Sequence, residues 1–340
     1  PWNMCWAPEG RLLFTEQGGR VSRLDPATGN RKMLLQVPNV WRKRTSGLLG
    51  MAVYKPEDGP AYVVLNYTLL RDSIVYTRLE RYRYEKDTLL HPIVLLEIRG
   101  GPAHNGSRVI AAPDGKIYWA TGDGQRERTA PDIHTTNGKI LRLHIDGSIP
   151  ADNPYPGNPV WAYGYRNIQG LTLGARGQLY ASEHGDASDD EVNRIVKGGH
   201  YGWPAIAGYS DQAMEKKYAR QHTTVEPLKA WTPTIAPAGI DYYDHHLIPE
   251  WRNALLMTTL KERDLRVLTL NEQGNAIMAE TILLNDTLGR LRDVCVSPAG
   301  DVYLSTSNRD WNPSPGFPLP QDDRILRIRK KGTRRAGDRH

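Results

Sequence analysis

Apolar and polar residues alternate along this chain in short runs, and one order of runs recurs six times. In each copy a turn leads into an apolar run, and the six apolar runs are Leu12-Leu13-Phe14, Tyr62-Val63-Val64, Ile117-Tyr118-Trp119, Leu179-Tyr180, Leu255-Leu256-Met257 and Val302-Tyr303-Leu304. A second run that contains arginine follows each of them, at residues 20–24, 79–82, 140–143, 192–195, 265–268 and 325–328. Alternation with a period of two residues predicts β-strands, and helical periodicity is nearly absent.

This repeat predicts an all-β fold, a six-bladed β-propeller of four-stranded antiparallel sheets. Copies spaced by about 50 to 75 residues are typical of radially repeated sheets, whereas a two-sheet sandwich would not need one hairpin pattern six times. We expect residues 1–329 to form this propeller as a single domain and residues 330–340 to be a basic, poorly ordered tail. A propeller gathers loops at one mouth of a central channel, so functional side chains should converge there.

The net charge of +6 does not predict a nucleic-acid partner. Residues 327–340 contain seven Arg and Lys residues against Asp338 alone, so this end of the chain carries the whole excess and the rest is neutral. No apolar stretch approaches the roughly 20 residues that span a bilayer, so no membrane span is predicted. The sequence begins at Pro1 without methionine, as a secreted protein does after processing and as any trimmed chain does.

Four loops carry polar residues that strands and turns do not require. The first, residues 101–108, places His104 among small residues before a strand, where an imidazole can take a proton from a hydroxyl group. A single loop histidine also fits an ordinary surface position, so this signal alone leaves both interpretations open. The second loop, residues 164–170, sets Arg166 beside Asn167 and Gln169, a group of donors suited to carboxylate or carbonyl recognition.

The third and fourth loops predict sites for a cation and for an anion. Residues 182–191 are rich in carboxylates and free carbonyls, which offer the roughly six to eight oxygens that calcium takes, although a solvated acidic turn fits the same residues. Lys261 and the pair Arg290 and Arg292 form the fourth group. Because residues two apart in an extended segment share a face, the two arginines repel unless an anion lies between them, and we expect an acidic ligand.

These loops, in this order and with the six-copy repeat, resemble the soluble glucose dehydrogenases that depend on pyrroloquinoline quinone (PQQ) and their aldose sugar dehydrogenase and sorbosone dehydrogenase relatives. The resemblance extends from Pro1 to about Arg329, and its most specific segments are residues 137–143, 146–150, 152–154, 165–170, 189–191 and 201–204. It implies a PQQ- and calcium-dependent enzyme that oxidises the C1 hydroxyl of an aldose to a lactone in the periplasm or outside the cell. The partners that it implies are a sugar, an external electron acceptor and, as one option, a second copy in a homodimer.

The resemblance also implies roles for single residues around the cofactor. His104 matches the general base of the family, and Arg166 and Asn167 match the pair at the reactive side of the quinone. The other residues expected to hold the cofactor are Asn105, Lys261, Arg290, Arg292, Thr234 and Thr45.

Two calcium sites and one substrate contact follow from the same resemblance. The backbone carbonyls of Gly185 and Asp186 match the ligands of the catalytic calcium. The residues that resemble a second, structural calcium site are Glu191, Tyr201 through its carbonyl, Asp211 and Glu226. Trp231 is expected to stack on a face of the sugar.

Two positions depart from the family pattern. The residue before the base is acidic in the glucose dehydrogenases and would orient the imidazole; it is Ala103 here, so the sequence predicts a base without that carboxylate and a lower rate. A quinone contact that bears an amide in the family is Thr45 or Ser46.

Two other functions are therefore alternatives to the PQQ-dependent dehydrogenase. One is a non-catalytic propeller whose mouth binds a carbohydrate or protein partner, which the two departures favour. The other is a calcium-dependent lactonase, which would need side-chain carboxylates and amides on the channel axis, whereas the metal ligands here are predicted to be backbone carbonyls.

Overall fold

The structure is a computed structural model that describes residues 1–329, and the predicted tail at 330–340 lies outside the described residues. Within that range the strands form six antiparallel sheets, and strands adjacent in the chain are adjacent in each sheet. The first three sheets contain β1 (Met4–Trp6), β2 (Leu12–Glu16), β3 (Arg20–Leu24), β4 (Arg31–Gln36), β5 (Leu48–Tyr54), β6 (Ala61–Arg71), β7 (Ile74–Glu85), β8 (Thr88–Arg99), β9 (Val109–Ala111), β10 (Lys116–Ala120), β11 (Lys139–His144) and β12 (Val160–Tyr163).

The other three sheets continue in chain order. They contain β13 (Ile168–Leu173), β14 (Leu179–Glu183), β15 (Asp190–Ile195), β16 (Lys229–Trp231), β17 (Pro237–Tyr243), β18 (Ala254–Thr259), β19 (Leu265–Leu270), β20 (Ile277–Leu283), β21 (Leu291–Val296), β22 (Val302–Thr306) and β23 (Ile325–Ile328). One α-helix, α1 (Ala213–His222), and three 3-10 helices (Glu127–Thr129, Ala175–Gly177 and Pro249–Trp251) lie in the described connections. None of the helices in residues 1–329 is long and apolar enough to cross a membrane.

The repeated sequence runs form equivalent strands in every blade. The six apolar runs lie in β2, β6, β10, β14, β18 and β22, and the six arginine-containing runs lie in β3, β7, β11, β15, β19 and β23. Each apolar run is therefore the second strand of its blade, and each arginine run is the third. This correspondence confirms the predicted six-bladed propeller.

Three strands of the sixth blade lie within the described residues. Five sheets have four strands, but the sheet of β21, β22 and β23 has three within the described residues. The connection from β22 to β23, residues 307–324, contains Pro313, Pro315, Pro318 and Pro320. Proline has no backbone N–H for a strand ladder, which explains why this stretch is a loop.

The first strands of the blades surround the central axis. Each first strand contacts the first strand of the next blade, in the order β1, β5, β9, β13, β17 and β21, and β21 contacts β1. In an antiparallel meander the loop that enters the first strand and the loop between the second and third strands lie at the same end. Both kinds of loop therefore meet at one mouth of the channel.

Apolar packing between neighbouring blades holds the ring together. Within the described residues six buried clusters occur, one at each boundary between adjacent blades. Trp119, which is fully buried, lies in the cluster between the second and third blades. Since each sheet contributes to two boundaries, its strands are apolar on both faces, and the polar chemistry is left to the loops.

Candidate active site

A cavity of ≈ 560 Å³ lies at this mouth. Thr45, His104, Asn167 and Arg290 line it from loops that precede first strands, and Lys261 comes from a loop between second and third strands. The predicted catalytic and cofactor-binding residues that line it are Thr45, His104, Asn105, Arg166, Asn167, Lys261, Arg290 and Arg292. The ring topology thus brings together eight of the nine, although they are spread over the whole chain.

His104 is held by a carboxylate that the sequence did not reveal. Its Nδ1 lies 3.0 Å from Oδ1 of Asp123, which is 1% exposed. The other oxygen, Oδ2, accepts a hydrogen bond from Nε1 of Trp203 at 3.0 Å, and Oδ1 also accepts the backbone N–H of Gln125 at 2.8 Å. Because a carboxylate only accepts, the proton of a neutral His104 ring lies on Nδ1, and Nε2 is the nitrogen that can act as a base.

The expectation that this base lacks an orienting carboxylate is therefore wrong. Ala103 does not supply one, but Asp123 does so from the loop after β10. The backbone there is closely packed: a side chain at Gly122 would come within 2.1 Å of the carbonyl oxygen of His104. The sequence signal that could have revealed this carboxylate is the position of Asp123 between Gly122 and Gly124, since glycines around one acidic residue indicate that another backbone segment comes close.

Arg290 and Arg292 share an anion that belongs to the protein. Oδ2 of Asp310 accepts Nη2 of Arg292 at 2.8 Å and Nη2 of Arg290 at 3.5 Å. The prediction that the pair needs an acidic ligand between the guanidinium groups was therefore too strong, because this buried carboxylate lies there. Sequence reasoning missed Asp310, which lies in the loop after β22, far from the arginines in the chain.

The two arginines nevertheless retain capacity for an anion. Their Nε atoms are buried and have no hydrogen-bond partner within the described residues. Burial lowers the pKa of Arg292 to about 10, which leaves the group charged at neutral pH, and it also lowers the pKa of Arg290. The guanidinium of Arg292 lies 3.8 Å from the ring centre of Trp2, which fixes its plane. Two cations with one shared carboxylate leave a net positive charge in the cavity wall.

Lys261 and Thr234 lie at the rim. Nζ of Lys261 donates to Oγ1 of Thr234 at 2.8 Å, and the lysine is exposed. Thr234 does not line the cavity itself but fixes the lysine that does. The lysine ammonium therefore stands at the entrance, whereas the arginines are at the buried wall.

Arg166 and Asn167 are positioned by two buried side chains, Glu183 and Gln169, and by the exposed carboxylate of Asp186. Glu183 accepts the backbone N–H groups of both residues, that of Asn167 at 3.2 Å. Burial raises the pKa of Glu183 well above its usual range. Nη2 of Arg166 donates to Oδ1 of Asp186 at 2.6 Å, and Oδ1 of Asn167 accepts Nε2 of Gln169 at 3.2 Å.

Asn105 shapes the loop that carries the base. Its side-chain Nδ2 donates to Oγ of Ser46 at 3.1 Å, and its Oδ1 accepts the backbone N–H of Gly101 at 2.8 Å. Of the two residues considered for the quinone contact, Thr45 lines the cavity and Ser46 is fully buried beside Asn105. Asn105 thus borders the cavity, but its side-chain oxygen and nitrogen form hydrogen bonds within the protein.

The predicted ligands of the catalytic calcium lie next to this wall. His184 lines the cavity, and Gly185 and Asp186 follow it. The N–H of Gly185 donates to Oδ1 of Asp190 at 2.8 Å, while the carbonyl oxygens of Gly185 and Asp186 accept no hydrogen bond from the described residues. Free carbonyl oxygens are ligands that calcium accepts, and these two would supply two of the roughly six to eight oxygens that it takes.

The predicted structural calcium site is not assembled. Within residues 1–329, no three His, Cys, Asp or Glu side chains lie close enough together to hold a metal ion. Glu191 is buried and accepts the N–H of Gly208 at 2.8 Å and Nδ2 of Asn193 at 2.8 Å, and burial raises its pKa to about 7. Asp211 and Glu226 are exposed.

The fourth residue of that set, Tyr201, was predicted to bind calcium through its backbone carbonyl, and this oxygen accepts no hydrogen bond from the described residues. The hydroxyl of Tyr201 donates to the carbonyl oxygen of Arg194 at 2.6 Å and accepts the N–H of Val196 at 2.9 Å. Its ring stacks on Tyr165. The tyrosine side chain therefore belongs to the packing between the third and fourth blades.

Trp231 is not at the cavity, so its predicted contact with sugar is wrong. It lies in β16, the outermost strand of the fourth blade, and is 9% exposed. Its Nε1 donates to Glu280 at 3.2 Å, and its ring packs in the cluster between the fourth and fifth blades. The exposed aromatic residue that does line the cavity is Trp311, which the sequence did not single out.

Comparisons with known proteins identify the family and support the fold. The family model described as glucose/sorbosone dehydrogenase matches residues 1–312. Quinoprotein glucose dehydrogenase B of Acinetobacter calcoaceticus is 29% identical, over 90% of this chain and 83% of that protein. An aldose sugar dehydrogenase of Escherichia coli is 28% identical, over 90% of this chain and 86% of that protein. The PQQ-bound structure of aldose sugar dehydrogenase from Streptomyces coelicolor is 31% identical and superposes with a TM-score of 0.84, over 97% of this chain and 93% of that chain.

Proposed function

The chain belongs to the glucose/sorbosone dehydrogenase family, and from this membership we propose that it is a PQQ-dependent sugar dehydrogenase that oxidises the C1 hydroxyl of an aldose to a lactone. The observation that carries the proposal is one cavity in which a carboxylate-held imidazole, His104, faces the same space as two buried guanidinium groups, Arg290 and Arg292. A base alone would fit many hydrolases, and two arginines alone would fit any anion. Their combination fits an alcohol oxidation beside an anionic cofactor.

The cavity wall suits a flat polyanion such as PQQ. Arg290 and Arg292 keep unpartnered Nε donors, and Lys261 adds a cation at the rim. When bound, PQQ would supply the two-electron acceptor for the hydride that leaves C1. Thr45 and Asn167 would border it with uncharged polar groups, and Thr234 would hold Lys261 beside it.

His104 would take the proton of the C1 hydroxyl at Nε2. Asp123 holds Nδ1 as the donor nitrogen and stabilises the positive charge that the ring acquires. The O–H bond then breaks toward the imidazole while the C–H electron pair leaves as hydride, which accounts for both electrons and the proton. Arg166, which lies over Trp203 at 5.5 Å and is tied to Asp186, lines the same cavity and would donate to an oxygen of the bound cofactor, where the charge of the hydride would be taken up.

Calcium belongs to the proposal through two carbonyl oxygens, those of Gly185 and Asp186. A cation there would neutralise charge on the oxygen side of the cofactor and would leave the base untouched. The structural calcium site is not part of the proposal, because its carboxylates do not come together. A periplasmic or secreted location, an external electron acceptor and a possible homodimer remain predictions of the sequence.

The two other functions receive less support. The argument for a non-catalytic propeller was strongest when Ala103 implied an unoriented base, and Asp123 removes that argument. A lactonase with a metal on the axis needs converging carboxylates, and the described residues provide no such group.

Reconstitution tests the proposal. Addition of PQQ and calcium to purified protein should give dye reduction that depends on an aldose, and removal of calcium with a chelator should lower it reversibly. His104→Ala should reduce turnover by about 10²- to 10⁴-fold while PQQ binding persists. His134→Ala is the matched control, because His134 is an exposed loop histidine that does not line the cavity. Wild-type protein that binds PQQ but oxidises no aldose would refute the proposal.

A further inference from the structure

Trp311 is the aromatic side chain at the mouth of the cavity. It lies in the loop between β22 and β23, lines the cavity and is 54% exposed. Among the described residues that line the cavity, it alone carries a Trp, Tyr or Phe ring. Burying a large exposed ring against a ligand is favourable, so its position at the entrance requires an explanation.

The ring is held at a defined place between two loops. The backbone N–H of Trp311 donates to Oδ1 of Asp310 at 2.7 Å, and Oδ2 of the same carboxylate binds Arg292. From the loop that joins β4 to β5, the guanidinium of Arg44 lies 5.7 Å from the ring centre. The backbone of Trp311 is thereby tied to the arginine wall through Asp310, and its ring lies against Arg44.

The rest of the wall has no Trp, Tyr or Phe ring among the described residues, and its apolar side chains are smaller: Ala103, Ala236, Leu260, Pro313 and Pro315. His104, Arg166, Asn167, Lys261 and Arg292 present charged or hydrogen-bonding groups to the cavity. Such groups bind hydroxyl groups and anions, but they offer little flat apolar surface. A pyranose ring has hydroxyl groups around its edge and a C–H surface on its faces, and an indole complements that surface.

We propose that Trp311 is the platform on which the pyranose ring of the substrate stacks, and that it selects aldopyranoses with a continuous C–H face. This inference rests on the proposed function for the identity of the reaction. It assigns the sugar contact to the sixth blade, where the sequence had assigned it to Trp231 in the fourth. An all-equatorial aldohexose keeps both faces apolar, whereas an axial hydroxyl interrupts one face.

Three variants test the platform. Trp311→Ala removes the ring, Trp311→Phe keeps a smaller one, and Tyr209→Ala is the matched control because Tyr209 is 44% exposed and does not line the cavity. In PQQ-loaded enzyme, Trp311→Ala should raise KM for glucose by about tenfold with a smaller change in kcat, and Trp311→Phe should retain most of the affinity. The C3 and C4 epimers of glucose carry axial hydroxyls on opposite faces, so the preference for glucose over one of the two should shrink in Trp311→Ala, and that epimer identifies the stacked face.

A binding measurement separates this inference from the proposed function. Saturation-transfer NMR with glucose should show contact with the ring C–H protons in the wild type and in Tyr209→Ala, and a loss of that contact in Trp311→Ala. PQQ affinity should be equal in all variants. Unchanged KM, epimer preference and NMR contact in Trp311→Ala would overturn the platform, and so would a loss of PQQ binding instead of sugar binding. Failure of the proposed function would give a different result from failure of the platform, because wild-type protein would then bind sugar at Trp311 without oxidising it.

Discussion

Replacing Asp123 with asparagine tests whether that carboxylate makes His104 a base. Every group that faces Asp123 is a donor: Nδ1 of His104 and the N–H of Gln125 approach Oδ1, and Nε1 of Trp203 approaches Oδ2. Asparagine keeps the shape but replaces one oxygen with an NH₂ group, which only donates. If the NH₂ group faces the imidazole, the ring proton moves to Nε2, and this nitrogen can no longer accept a proton.

The size of the effect follows from these contacts. A hydrogen bond to a charged group contributes about 1.5–3 kcal/mol, which corresponds to roughly 10- to 150-fold in rate. In the Ser-His-Asp catalytic triad, the same change from Asp to Asn holds the histidine in the wrong tautomer and lowers kcat by about 10⁴-fold. We therefore expect kcat of Asp123→Asn to fall by about 10²- to 10⁴-fold, with little change in KM.

The assay is dye reduction by PQQ-loaded protein over a range of aldose concentrations. Thermal unfolding and PQQ titration would be measured on the same samples, so that loss of fold is distinguished from loss of chemistry. Trp203→Phe is the control, because it removes the indole N–H and leaves the contact between Asp123 and His104; its kcat should fall by less than about tenfold. Wild-type kcat in a folded, PQQ-bound Asp123→Asn variant would refute the assignment.

Three further outcomes follow from buried groups. Arg292→Met should weaken PQQ binding by at least about 100-fold in a titration and lower the free energy of unfolding by about 3–5 kcal/mol, since Asp310 then loses its 2.8 Å partner; unchanged PQQ affinity would contradict the arginine wall. Trp231→Ala should cost about 3–5 kcal/mol of stability in denaturant unfolding because the ring is buried between blades, yet leave KM for sugar unchanged. Burial raises the pKa of Asp241 to about 6, so the native state binds a proton that the unfolded state releases. This carboxyl group should lower stability as pH rises from about 4 to 6, and Asp241→Asn should flatten that part of the stability curve; identical pH dependence in both proteins would count against it.

Local patterns predicted the blades well because each blade needs only its own residues. The turn and two runs of each copy specify a hairpin whose strands are adjacent in the chain, and all six copies lie in second and third strands as expected. The proline-rich loop between β22 and β23 is part of the cavity wall through Pro313 and Pro315, which the repeat did not predict.

The amino-acid sequence by itself determined the propeller, the four polar loops and the cationic character of the wall, because alternation, turn residues and charge are local properties of the chain. The tertiary structure alone decided which groups act on one another. Asp123 reaches His104 across 19 positions, Asp310 pairs with Arg292 across 18, and Trp311 rather than Trp231 lies at the mouth. The physical reason is that the first two contacts form only when a folded blade brings the start of its first strand and the end of its second strand to the same end of the sheet, and the place of Trp311 at the cavity depends on closure of the ring; no sequence interval records either arrangement.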